Sequence, residues 1–289
     1  RALSRLLLVN LGTPSAPTPE AVRAYLAEFL SDPRVVPLPR LIWLPILHGI
    51  VLPRRAHASA EKYRQVWTPE GSPLAVHTRK QAELLGADYA MRYGDPSLER
   101  ALKGKPDVVV PLYPQYSDSA TGSVIDLIPP GIAFVRDFHA HPAYIEALAA
   151  QVRRHRRSDM LVMSFHGLPK RGADEYRAQC LATSKLLSEA LSLKENEWQT
   201  AFQSRFGFAE WLKPYTEATL VELARSGRAE VDVFCPGFVS DCLETLEEIG
   251  IAAKARFLEA GGREFNLVPC LNEAPEWIEA LRRISRASG

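Results

Sequence analysis

The sequence predicts an α/β protein built as two similar domains, each a mostly parallel sheet flanked by helices. Three observations carry this. Short apolar runs alternate with amphipathic stretches along the whole chain, the pattern of βαβ units. The apolar runs are continuous, as strands buried on both faces are. The chain has 289 residues, enough for two cores, and its halves share a plan: a hydrophobic strand, then helices, then a second buried strand.

Leu6–Leu11 (LLLVNL) reads as the first strand. Thr18, Pro19 and Glu20 supply an N-cap, a first-turn proline and an early acid, so a helix runs to about Leu30. Pro37, Pro39, Pro45 and Pro53 interrupt an apolar stretch holding Trp43, which predicts an irregular or kinked helical lip over residues 37–55. Val108–Leu112 is a second buried strand and Ile132–Val135 a short one. Pro142 opens a helix through Arg154. Met160–Phe165 (MLVMSF) repeats the buried-strand pattern, and a helix from about Ala173 to Leu191 follows. Val231–Cys235 is a strand, and Ser240 caps a long helix to about Ala260. Phe265–Val268 is a last strand before a helix over about Ala274–Ile284. The first domain accordingly takes residues 1–138 and the second 139–273.

Composition narrows the function. Hydrophobic residues are 46% and charged residues 24%, too apolar for disorder. With 35 basic and 34 acidic side chains the net charge is +1, which argues against nucleic acid as a partner. The longest apolar stretch, Leu41–Leu52, is broken by Pro45 and His48 and falls short of the roughly 20 residues of a spanning helix. No signal peptide precedes the first strand, so the cytoplasm is expected. Cys180, Cys235, Cys242 and Cys270 form no paired spacing and read as free thiols of a reducing compartment.

In open α/β sheets ligands bind beyond the carboxyl ends of the strands. Four loops qualify, beginning at Gly12, Pro111, Ser164 and Pro236, and they are expected to converge on one cleft between the domains. None is a phosphate cradle, since neither GxGxxG nor GxxxxGK[ST] occurs. A serine-hydrolase elbow, GxSxG, is absent too.

What remains is His166 at a strand end, before Gly167, and three acids. On an α-helix, Asp241, Glu244 and Glu248 fall within about 60° of each other, while Glu247 points elsewhere. By themselves the acids also fit a solvated first turn complementing the helix dipole, and His166 a satisfied core histidine. Together they fit a set that binds a divalent cation or moves protons. Tyr113, Tyr116, Trp198, Phe202, Phe206, Phe208 and Trp211 read first as core, and a large planar ligand would use the same residues as walls.

Seven stretches, in order along the chain, carry a family resemblance: LLLVNLGTP (6–14), FLSDPRVV (29–36), YRQVWTPEGSPL (63–74), PLYPQYSDSATGS (111–123), SFHGLP (164–169), TAFQSRFGFAEWLKP (200–214) and PGFVSDCLETLEEI (236–249). In them the sequence resembles the ferrochelatases, bacterial type. The resemblance implies two Rossmann-like domains of chelatase type, with a terminal helix over 274–289 packing back on the first. It implies a lyase that inserts Fe²⁺ into protoporphyrin IX, giving protohaem and two protons, the last step of haem biosynthesis. Coproporphyrin as substrate, or a haem or metal carrier without turnover, are the alternatives.

By the same resemblance, His166 and Glu244 are the catalytic residues and the groups that meet the metal, on opposite walls of the cleft. Asp241 and Glu248 form the proton relay, and Leu11, Arg55, Ser72, Arg92, Tyr113 and Trp211 bind the substrate. No organic cofactor is implied, and Fe²⁺ enters as substrate. Some members carry a [2Fe–2S] cluster on cysteines near or beyond the last helix; no such cysteines stand here, so none is expected. Two further departures are Cys242, where histidine is frequent, and a short link over 101–107. Porphyrin and ferrous iron are the expected partners. Residues 41–52 are a candidate contact with the inner-membrane surface, with Trp43 between Arg40 and Arg54–Arg55 as an interfacial anchor. A monomer is expected, with a dimer as the alternative.

Overall fold

A computed structural model describes residues 5–205 and 209–286. The chain divides into two compact units, residues 5–137 with 284–286, and Phe138–Arg283. The first unit holds β1 (Leu6–Gly12), β2 (Asp88–Tyr93), β3 (Val108–Pro111) and β4 (Ala133–Phe134) in the order β2-β1-β3-β4. The second holds β5 (Leu161–His166), β6 (Trp198–Gln203), β7 (Glu230–Phe234) and β8 (Glu264–Leu267) in the order β6-β5-β7-β8. Every pairing is parallel. The predicted α/β class and likeness of the halves thus hold at the level of strand order.

The central strands form because each is apolar on both faces. Leu7, Leu8, Val9, Val108, Val109 and Val110 are buried in the first sheet, as are Leu161, Val162, Met163, Val231 and Val233 in the second. The edge strands β2 (DYAMRY) and β6 (WQTAFQ) are less uniformly apolar and were not predicted. Gly12 ends β1 at φ +117°, where a Cβ would overlap the Tyr93 carbonyl at the end of β2. Only glycine lets the two strand ends come this close.

The helix Pro19–Leu30 starts as predicted, with the Thr18 hydroxyl accepting from the Ala21 N–H. The lip is helical and kinked: Arg40–Ile46 is α-helical around Pro45, Leu47–Val51 is a π-turn, and Leu52–Val66 resumes the α-helix. Trp43 is not an interfacial anchor. It is buried with Leu30, Leu47 and Leu52, and its indole N–H donates to the Leu30 carbonyl at 2.6 Å. The surface of the lip is carried instead by Leu41 (93% exposed) and Ile42 (60%), with Leu38, Ile46 and Ile50 also exposed. Among the described residues no helix is long and apolar enough to cross a membrane.

The segment after β7 departs most from expectation. Glu244–Ala253 is a π-helix, followed by the α-helix Lys254–Glu259, and Ser240 does not cap it. A π-helix winds more residues into each turn than an α-helix, so the α-helical phasing of the three acids does not apply. The last helix, Pro275–Arg286, lies largely in the second unit. There Trp277 packs on Phe138 and Tyr144, and Glu276 pairs with Arg154 at 2.6 Å.

Candidate active site

In both sheets the strand order reverses at one place, between β1 and β3 and between β5 and β7. Such switch points open a crevice at the carboxyl ends of the strands. Leu11, Ser72, Arg92 and Tyr113 lie at such strand ends in the first unit, and His166 and Trp211 in the second.

In the first unit Leu11 is the penultimate residue of β1 and Tyr113 lies just beyond β3. The Tyr113 hydroxyl is buried without a hydrogen-bond partner, and burial pushes its pKa far up, so it stays a neutral phenol. Ser72 is held at the same sheet end by the Thr13 hydroxyl, which donates to its Oγ at 2.7 Å. Arg55 lies half-buried on the helix Leu52–Val66, and burial lowers its pKa from the ordinary value. Arg92 does not stand free for a substrate carboxylate. It donates to Asp32 Oδ2 at 2.5 Å and to the Ser123 carbonyl at 2.9 Å, and its guanidinium covers the Tyr93 ring at 4.5 Å. That geometry makes it a clamp between β2, the end of the first helix and the loop after β3.

In the second unit His166 is the last residue of β5. Its Nδ1 stands 2.7 Å from the Gly167 carbonyl, which can only accept. Nδ1 therefore carries the proton, and Nε2 keeps the lone pair for a proton or a metal. The Tyr176 hydroxyl donates to the His166 carbonyl at 2.8 Å, and Phe238 lies 6.3 Å away ring to ring. Trp211 is brought to the same place. The Leu168 carbonyl accepts from the Leu212 N–H at 3.0 Å, Pro169 and Trp211 form a β-bridge, and a Cβ on Gly167 would lie 3.4 Å from the Trp211 ring. The Trp211 indole N–H is buried and unpaired. Phe206 and Phe208 lie outside the described residues.

The three acids separate into different roles. Asp241 lies ahead of the π-helix, 5% exposed. It accepts from the Thr245 hydroxyl at 2.9 Å, the Cys270 N–H at 3.2 Å and the Asn272 amide at 2.7 Å. It anchors the loop after β7 and is not an open carboxylate. Glu248 accepts from both the N–H and the hydroxyl of Ser204 at 2.6 Å. Glu244, at the first turn of the π-helix, is partly exposed. Glu247 is buried, at 7% exposure, rather than a surface acid. His166 and Glu244 belong to the same unit. Among the described residues no group of three or more His, Cys, Asp and Glu side chains is disposed to hold a metal ion.

Gln203, at the end of β6, links these residues and was missed. Its carbonyl accepts from the Gly167 N–H at 2.7 Å, and its side-chain amide donates to the Glu244 carbonyl at 2.8 Å. The available signal was its position inside TAFQSRFGFAEWLKP, at the end of an unrecognised strand.

The family model for ferrochelatase matches residues 4–288. The chain belongs to the ferrochelatase family. It is 52% identical to a ferrochelatase of Azoarcus sp. (strain BH72), over 99% of this chain and 88% of that one. A ferrochelatase of Aromatoleum aromaticum is also 52% identical, over 98% of this chain and 87% of its own. Among solved structures, SirB from Bacillus subtilis with Fe³⁺ has a TM-score of 0.55 at 11% identity, covering 98% of this chain and 96% of that one. That likeness concerns the fold. In the second unit His166 ends β5, Trp211 bridges to the loop that follows it, and the backbone of Glu244 is tied to the end of β6 through Gln203.

Proposed function

We propose that this chain inserts Fe²⁺ into protoporphyrin IX to give protohaem. Two N–H bonds break, four Fe–N bonds form, and two protons leave; iron keeps its oxidation state, so no electron or group donor is required. The observation that carries the reading is His166 at the end of β5, with Nδ1 tied to the Gly167 carbonyl and Nε2 left basic.

His166 Nε2, on the far side of the ring from the Nδ1–H held by the Gly167 carbonyl, takes a pyrrole proton as general base. Glu244, partly exposed at the head of the π-helix, passes protons to solvent or draws the cation in. Glu248 steadies the Ser204 turn just after β6. Leu11 and Tyr113 in the first unit and Trp211 in the second are the ring contacts the family resemblance implies, and binding energy spent on such contacts bends a porphyrin so that its lone pairs face the metal, at a strain of about 1–5 kcal/mol. Asp241 and Arg92 act through the loops they hold.

The cytoplasm fits the four free thiols. The exposed Leu41 and Ile42, near Arg40 and Arg54, support a peripheral contact with an anionic membrane surface. Leu41→Asp is expected to abolish sedimentation with phosphatidylglycerol vesicles while activity toward detergent-dispersed porphyrin persists. Binding unchanged by that substitution rules the contact out.

The deciding experiment mixes the protein anaerobically with Fe²⁺ and either protoporphyrin or coproporphyrin and follows metalloporphyrin absorbance. Multiple turnovers on protoporphyrin are expected. Preference for coproporphyrin reassigns the substrate, and uptake limited to one equivalent makes the protein a carrier.

A further inference from the structure

We propose that Gln203 is a positioning residue for metal insertion, fixing His166 and Glu244 in one register. The inference rests on the function proposed above. Gln203 pairs in register with His166 across β5 and β6, and its carbonyl receives the N–H of Gly167. The same residue's side chain, 6% exposed, reaches the first residue of the π-helix. One amino acid therefore ties the strand end bearing the imidazole to the helix bearing the carboxylate.

The orientation of its amide is determined. Oε1 accepts from the Ser164 hydroxyl at 2.8 Å, and the Cys235 thiol lies 3.6 Å from it. Ser164 has then used its only proton, so the Thr216 hydroxyl at 2.7 Å donates to Ser164. On the other side Nε2 faces two acceptors, the Glu244 carbonyl at 2.8 Å and Glu248 Oε2 at 3.5 Å. Only a primary amide supplies an acceptor to one wall and a donor to the other. Glutamate would turn an oxygen toward the Glu244 carbonyl and Glu248, and methionine would leave both sides unsatisfied. Asparagine is one methylene too short to span them. A polar residue so fully matched at the end of an edge strand holds geometry, and small displacements of catalytic groups cost rate steeply.

The test compares wild type, Gln203→Met and Gln203→Glu as full chains. The readouts are kcat and KM for Fe²⁺, porphyrin Kd by fluorescence quenching, thermal midpoint, and the ¹⁵N ring signal of His166 identified with His166→Ala. Gln203→Met is expected to fold, to bind porphyrin within about twofold, and to lose about 10- to 100-fold in kcat. The KM for Fe²⁺ is expected to stay within about threefold, the split for a group acting on orientation rather than binding. The His166 signal is expected to move in both variants. A kcat that falls only with the folded fraction, beside an unmoved His166 signal, overturns the proposal. Should Gln203→Met fail to fold, Gln203→Glu, of equal length, carries the same readings. Wild type without insertion activity defeats the chelatase reading alone, and the His166 signal still decides Gln203.

Discussion

His166→Ala removes the one imidazole whose Nε2 is left basic at the end of β5. Metal insertion is expected to vanish while porphyrin binding, followed by fluorescence, persists. Glu244→Gln keeps size and removes charge; insertion is expected to fall about 100-fold or more, the scale of a lost proton-transfer group. Glu259→Gln, at an exposed acid in the following α-helix, is expected to leave turnover unchanged. Glu247 cannot serve as that control, because it is buried. Asp241→Asn puts an amide against three donors, so it is expected to lower unfolding free energy by about 2–3 kcal/mol in urea titration. The place of His166 at a strand end was legible, from the continuous apolar run before it. The separate duties of Asp241, Glu248 and Arg92 were not, because hydrogen-bond partners such as Asn272, Ser204 and Asp32 lie far along the chain.

At the scale of elements, glycine positions test how the site is framed. Gly12→Ala forces a Cβ into the Tyr93 carbonyl at a left-handed φ, and a loss of about 3 kcal/mol in stability is expected by calorimetry. Gly167→Ala brings a Cβ to 2.6 Å from the Gln203 carbonyl, so the hydrogen bond under His166 must open. Turnover is expected to drop by more than the thermal midpoint accounts for. The central strands were legible because they are apolar on both faces. β2 and β6 were not, since a strand bordered on one side only tolerates Asp, Arg and Gln. The π-helix Glu244–Ala253 was equally hidden, because its residues fit an α-helix just as well and the wider turn arises from what packs around it.

Across the whole molecule all four thiols are free and buried, and burial pushes each of them up in pKa. Native protein at pH 8 is therefore expected to react with a thiol reagent far more slowly than protein in guanidinium, where four equivalents are titrated. The sequence by itself determined that this is an α/β chain with two like halves, because continuous apolar runs spaced by amphipathic helices admit few other arrangements. It also determined the family, through motifs at strand ends where ligands bind. Only the tertiary structure decided which polar side chains remain available for chemistry. Asp241 and Arg92 look like His166 and Glu244 in one dimension; folding supplies Asn272 and Cys270 to the first and Asp32 and Ser123 to the second. Burial makes such partners compulsory, and no local pattern names a partner thirty or sixty residues away.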